Sequence, residues 1–262
     1  MIWAILKPIY RKLYERLYNS LKYRRIIPDY GNGGFHGDRV FQELISILVR
    51  DLHVTSFVET GTYMGESTTY VASRWHILPI FTCEINHKFF YKAKQRLEKF
   101  KNVGISATSS QEYIQLCIRD NRVGNLPLFF LDAHWYNYWP LEDEVKIIAS
   151  SCPTAIIIID DFEVPDRSDF GYDIGGGGSR EFSGKTVIDQ RICGLALIKS
   201  KLEQRNVYHA LLPCYEEKDA FENRNGAFRG YIVIFQNIED KFKFFKEKPF
   251  VLHNYMDFKI SF

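Results

Sequence analysis

Apolar positions along the chain fall into two periods, and the switches between them mark out its elements. Ile2, Leu6, Ile9, Leu13, Leu17 and Leu21 recur at helical spacing, so residues 1–30 are predicted to form an amphipathic N-terminal helix. The Tyr30-Gly-Asn-Gly-Gly stretch breaks it and reads as a linker or a substrate-side loop. Asp38, a good N-cap, then starts a second helix with an apolar stripe at Phe41, Leu44, Ile45 and Leu48. From there to about residue 160, short apolar strands alternate with helices. Strands are predicted at 56–60, 79–84, 103–108, 127–132 and 154–160. Helices are predicted near 65–75, at 87–100 behind an Asn86 cap, and at 110–119. A further helix opens at Pro140, with Glu142, Asp143 and Glu144 in its first turn, where the helix dipole favours acids. The run TAIIIID at 154–160 is so uniformly apolar that it should be buried on both faces. This order predicts a parallel sheet with right-handed crossovers.

Beyond residue 160 the pattern changes. A long stretch, 162–184, holds Gly175 to Gly178 in a row and has no clear period. It is long enough to be a lid, with Arg167 or Arg180 able to reach an anionic substrate, or it is a surface insertion. A helix is predicted at about 185–205. Two strands follow, 207–213 and 230–236, with no crossover helix between them, which suggests an antiparallel hairpin on the sheet edge. Residues 241–262 form a Lys- and Phe-rich tail with no element assigned.

The chain has 262 residues, 46% of them apolar, with 34 Lys+Arg against 32 Asp+Glu, which excludes a largely disordered protein. The length suits one large domain, 31–240, with a segment attached at each end. No apolar run approaches the roughly 20 residues that span a bilayer. Lys7, Arg11 and Lys12 interrupt the N-terminal apolar residues, against a signal peptide. The five cysteines are widely spaced and include no C-x-x-C pair, so a zinc site or disulfide framework is not indicated and a cytoplasmic setting fits. Charge is uneven: residues 1–30 carry seven basic and two acidic side chains, leaving the remainder slightly acidic. A basic aromatic helix of this kind either lies on an anionic membrane surface or packs on the domain or on a second subunit of a homo-oligomer. The acidic remainder counts against a nucleic-acid partner.

In an open parallel sheet ligands bind at the carboxyl ends of the strands. Those ends carry Glu59-Thr60-Gly61, Glu84, Ser109-Ser110-Gln111, Asp132-Ala133-His134 and Asp160-Asp161. Repeated carboxylates after buried apolar strands look like a site, since each costs desolvation unless paired. The first turn reads Glu59-Thr-Gly61-Thr62-Tyr-Met-Gly65, which is not the dinucleotide-binding G-x-G-x-x-G. An acid at Glu84, ending the second strand, can accept both hydroxyls of a ribose.

The ordered set — E-x-G-x-x-x-G after strand one, an acid ending strand two, two late antiparallel strands — resembles the class I S-adenosylmethionine-dependent methyltransferases over about residues 38–236. The resemblance implies an α/β, Rossmann-like doubly wound and mainly parallel sheet, with helices on both faces and the antiparallel hairpin at its C-terminal edge. It implies that Glu59, Gly61, Thr62, Gly65, Glu84, Ser110, Gln111 and Asp132 bind S-adenosylmethionine. Thr62 departs from the family's common second glycine. Asp132, Asp160 and Asp161 are similar to the Mg²⁺ ligands of the metal-dependent O-methyltransferases. By that likeness His134 is the catalytic base with Asp132 beside it, and the acceptor is a small hydroxylated molecule such as a sugar, glycan or natural product. Three other readings stand beside this one. In the first, Asp160 caps a turn and His134 is structural. In the second, the fold serves a nucleotide-cofactor oxidoreductase. In the third, the chain is a non-catalytic membrane- or partner-binding module.

Overall fold

The computed structural model describes residues 33–133, 138–174, 191–222 and 227–260. The predicted helix at 1–30, His134 and Arg180 lie outside them.

One eight-stranded sheet organises the described chain, in the order β3-β2-β1-β4-β5-β7-β6-β8. Its strands are β1 (Ser56–Thr60), β2 (Ile80–Cys83), β3 (Val103–Ser106), β4 (Pro127–Leu131), β5 (Ala155–Asp160), β6 (Tyr208–Pro213), β7 (Tyr231–Gln236) and β8 (Tyr255–Phe258). The first five are mutually parallel, and β7, β6 and β8 add antiparallel pairings. Between them run α1 (Arg39–Leu52), α2 (Glu66–Arg74), α3 (His87–Leu97), α4 (Ser110–Arg119) and α5 (Leu141–Ser151). The chain steps outward from β1 to β3, then returns to the other side of β1 for β4 and β5. With right-handed connections, that reversal places α2 and α3 on one face and α4 and α5 on the other. The fold class read from the sequence therefore holds. The reversal between β1 and β4 also makes the crevice in which such sheets take ligands.

Local chemistry accounts for the boundaries. Asp38 caps α1 by accepting from Phe41 N at 2.9 Å, and Asn86 caps α3 through Lys88 N at 3.0 Å. Strands β1, β4, β5 and β7 are buried at every position, as central strands covered on both faces must be. Phe35, Phe57 and Phe130 pack as an aromatic cluster against the sheet. Phe41 joins them and stacks on Tyr231 at 3.9 Å.

Two expectations change. The helix predicted at 185–205 is, among the described residues, a single turn, α6 (Leu195–Ile198), running into a 3-10 turn to Lys201. The expected tail is part of the sheet. After a short helix α7 (Glu217–Ala220) and strand β7 come α8 (Glu239–Lys246), α9 (Pro249–Asn254) and β8, which pairs with β6 and widens the hairpin to three strands. Phe242 and Phe245 bury one side of α8, a stripe masked in the sequence by Lys241, Lys243 and Lys246 around them. Among the described residues no helix is long and apolar enough to cross a membrane.

Candidate functional site

The turn after β1 creates the central gap. Gly61 takes φ +78°, and a Cβ built on it would sit 2.4 Å from the Asp132 carbonyl oxygen, so no side chain fits. Its N–H and that of Thr62 both bond to the Cys83 carbonyl, at 3.1 and 3.0 Å, holding the turn over the end of β2. Beside it lies a crevice lined by Gly61, Cys83, Glu84, Ile85, Thr108, Ser110 and Ala133. Three of the cofactor residues expected from the sequence, Gly61, Glu84 and Ser110, thus meet in one place.

Glu84 is held by two backbone donors, Tyr63 N at 2.9 Å and Asn86 N at 2.7 Å, one on each oxygen. Burial pushes its carboxyl up, and these N–H groups pull it back. A carboxylate has about four lone-pair sites, so each oxygen keeps capacity for one more donor. Ser110 is 2% exposed, and its Oγ has no hydrogen-bond partner in the protein. A buried hydroxyl on a crevice wall is costly unless something else satisfies it.

The remaining expected cofactor residues do not line the crevice. Glu59 lies beneath the turn, its Oε2 accepting from the hydroxyls of Thr68 and Thr82. Burial drives its carboxyl up to about 8, against the pull of the two threonines and with a further push from Asp132 and Glu84. Thr62 turns inward too, its Oγ1 2.5 Å from Thr82 Oγ1. Gly65 faces Leu97 and Ala93, letting α2 approach α3. Gln111 faces a wider polar groove between α4 and α5, with Ser109, Asp143 and Lys146. Arg167 is committed to Asp169 and to the carbonyls of Cys214 and Tyr215, so it does not reach toward a substrate.

Over the end of β5 stands a residue that sequence reasoning missed. His36 Nε2 donates to Asp160 Oδ2 at 2.8 Å. Its side chain is 32% exposed and the aspartate's 1%. The loop is pinned by Phe35, buried among aromatic rings with its N–H on Ser67 Oγ at 3.1 Å, and by Gly34 packed against Tyr70 and Ser67. Phe35 and His36 both take positive φ, 58° and 55°, a conformation kept only when the surroundings enforce it. Burial opposes charge on His36, but Asp160, then Asp161 and Asp132, outweigh it and lift its pKa to about 10. The imidazolium form is therefore the resting form at neutral pH.

Asp161 has φ +53°, and this bend brings adjacent carboxylates to one side. His36, Asp160 and Asp161 each offer a ligand atom, all within 4.8 Å of one another. Asp161 also pairs with Arg229, which bridges to Asp173. Asp160 Oδ1 is buried with no hydrogen-bond partner. The convergent set thus differs from the Asp132, Asp160 and Asp161 expected. Asp132 stays outside it, its N–H tied to Thr60 and its charge felt by both His36 and Glu59.

No protein-family model matches the chain, and no curated protein matches its sequence. Solved structures do. One is a Staphylococcus aureus protein described as a caffeoyl-CoA O-methyltransferase, at 17% identity and TM-score 0.49, covering 88% of this chain and 99% of that one. Another is an O-methyltransferase from Bacillus cereus in complex with SAH, at 16% identity and TM-score 0.46, covering 86% and 96%. A third is the O-methyltransferase TomG from Streptomyces achromogenes, involved in tomaymycin synthesis and in complex with SAM, at 16% identity and TM-score 0.45, covering 74% and 78%. The likeness is one of fold.

Proposed function

We propose that this chain is an S-adenosylmethionine-dependent methyltransferase acting on a hydroxyl of a small acceptor such as a sugar, glycan or natural product. The observation that carries the reading is the crevice at the sheet's reversal point, where Gly61, Glu84 and Ser110 meet. The fit is chemical. Gly61 leaves a space that a Cβ would fill, Glu84 has acceptor capacity for ribose hydroxyls, and Ser110 Oγ awaits a partner for its buried hydroxyl. Bound there, S-adenosylmethionine would supply an electrophilic methyl group.

The chain's own part is to bind, orient and handle a proton. Glu84 fixes the nucleoside by its sugar. Holding the acceptor at a fixed angle to the crevice supplies much of the rate in a displacement of this kind. Asp160 Oδ1 can accept a hydrogen bond from an acceptor hydroxyl, while Oδ2 holds His36. His36 already carries a proton in this state, so the pair acts as a base only after that proton is lost.

A divalent cation is the second element of the proposal, on the strength of the 4.8 Å cluster. An imidazole beside two carboxylates suits a transition ion such as Mn²⁺ better than Mg²⁺, which favours oxygen alone. His36, Asp160 and Asp161 would hold it, and its charge would lower the pKa of an acceptor hydroxyl. His36 must then give up its proton, and Asp161 must share with Arg229.

Isothermal titration of the protein with S-adenosylmethionine and S-adenosylhomocysteine tests the reading. Saturable binding is expected, weakened at least tenfold in Glu84→Ala. Absence of heat with either ligand refutes it.

A further inference from the structure

Helix α3 and the turn after it concentrate positive charge in a domain that is otherwise acidic, and α3 begins at the carboxyl end of β2. Between residues 87 and 101 stand six basic side chains, Lys88, Lys92, Lys94, Arg96, Lys99 and Lys101, against one acid, Glu98. Arg96 is taken up by Glu66 at 3.2 Å. Among the described residues none of the five lysines lies within ion-pair distance of a carboxylate, although Lys94 and Lys99 sit over the rings of Phe90 and Phe100. Positions 88, 92 and 99 follow the i, i+4, i+11 spacing of one helix stripe, with Lys99 just past the end of α3. Burial, and then the neighbouring charge of Lys88, lowers the pKa of Lys92.

Apolar groups lie next to that stripe. Ile85 is 43% exposed and Tyr63 48%, and the Tyr63 ring contacts Phe89 at 4.5 Å between centroids. Ile85 stands one residue before the Asn86 cap, and Lys88, Phe89 and Lys92 lie in the first two turns of α3, so apolar and cationic side chains meet at the N-terminal end of that helix. Ile85 also lines the crevice, which puts this surface at its mouth. Nucleic-acid grooves use cations with stacking rings. An exposed aliphatic side chain among the rings suits the headgroup–acyl boundary instead.

We propose that this surface, Lys88 and Lys92 with Ile85, Tyr63 and Phe89, docks on an anionic lipid bilayer and brings the mouth of the crevice to the membrane. Charge complementarity supplies the attraction, since each lysine near an anionic leaflet contributes about fivefold in affinity. The apolar trio provides shallow insertion. The surface is independent of which cofactor the crevice takes.

Flotation of the 262-residue chain with vesicles of phosphatidylcholine and phosphatidylserine at 7:3, against pure phosphatidylcholine, is the test. Binding to the anionic vesicles is expected at low salt and is expected to fall steeply as salt rises. Lys88→Gln with Lys92→Gln should weaken it about 25-fold, two lysines at about fivefold each. Ile85→Ser should weaken it severalfold without changing the salt slope. Residues 1–30, also basic, are present in every protein compared. If the double variant floats as well as the parent, that segment carries the binding and the proposal is overturned. Binding to a single-stranded oligonucleotide without vesicle binding, or no vesicle binding at all, overturns it equally.

Discussion

Replacing Glu59 by glutamine isolates the cost of keeping an acid beneath the Gly61 turn. In the folded protein its carboxyl is raised to about 8 from an ordinary 4.5, chiefly by burial. Below pH 4.5 both folded and unfolded chains carry the proton, and the position costs nothing. Between 4.5 and 8 the unfolded chain ionises while the folded one does not, so stability falls as pH rises. Above 8 the loss is complete. At about 1.4 kcal/mol per unit, the window amounts to about 5 kcal/mol as a ceiling. Glutamine has the same shape, its carbonyl oxygen can still accept from Thr68 and Thr82, and it never ionises. The variant is therefore expected to match the parent at pH 5 and to exceed it increasingly toward pH 9. Even half the ceiling corresponds to a rise in Tm of about 5–10 °C for a domain of this size. Urea unfolding at pH 5, 7 and 9 measures it. If the stability curves of parent and Glu59→Gln run parallel from pH 5 to 9, Glu59 is not held neutral and the reasoning fails.

Other outcomes follow from the same geometry. Gly61→Ala forces a Cβ against the Asp132 carbonyl at a positive φ, and is expected to cost about 2–4 kcal/mol in chemical denaturation and to lower nucleoside affinity at least tenfold; an unchanged affinity would show that the crevice is not the binding site. Phe35→Ala removes a fully buried ring and is expected to cost about 3–5 kcal/mol, with the His36 ring resonances shifting by NMR as their anchor is lost. Titration with Mn²⁺ in two buffers of different ionisation enthalpy should reveal proton release from His36 and tighter binding as pH rises from 6 to 9. Binding that survives Asp160→Asn, or that releases no proton, would remove the cation from the site.

Much of the sheet was legible because the signals are local. TAIIIID can only be a doubly covered strand, and Asp38 and Asn86 announce helix starts by their own side chains. The strand ends led to Gly61, Glu84 and Ser110 for the same reason. His36 was not legible. It stands in a glycine-rich stretch that reads as a linker, and its partner Asp160 is 124 residues away. Its only local trace was the Gly33-Gly34 pair, which signals an unusual backbone but not what the backbone presents. The side chains of Glu59 and Thr62 were misjudged because position at a strand end does not say whether a side chain points up into a crevice or down into the core. The burial of Phe242 and Phe245 on α8 was hidden by the lysines around them.

Strand β7 lies between β5 and β6, although β6 comes first along the chain. A nascent or refolding chain therefore holds two open edges, one on the AIIIID strand and one on YHALLP, before the strand that belongs between them has arrived. Direct pairing of those two edges is a trap that must be undone for β7 to enter. The slow phase of refolding in this protein is accordingly expected to report insertion of one strand into a gap, and to lengthen when the β6–β7 connection is extended.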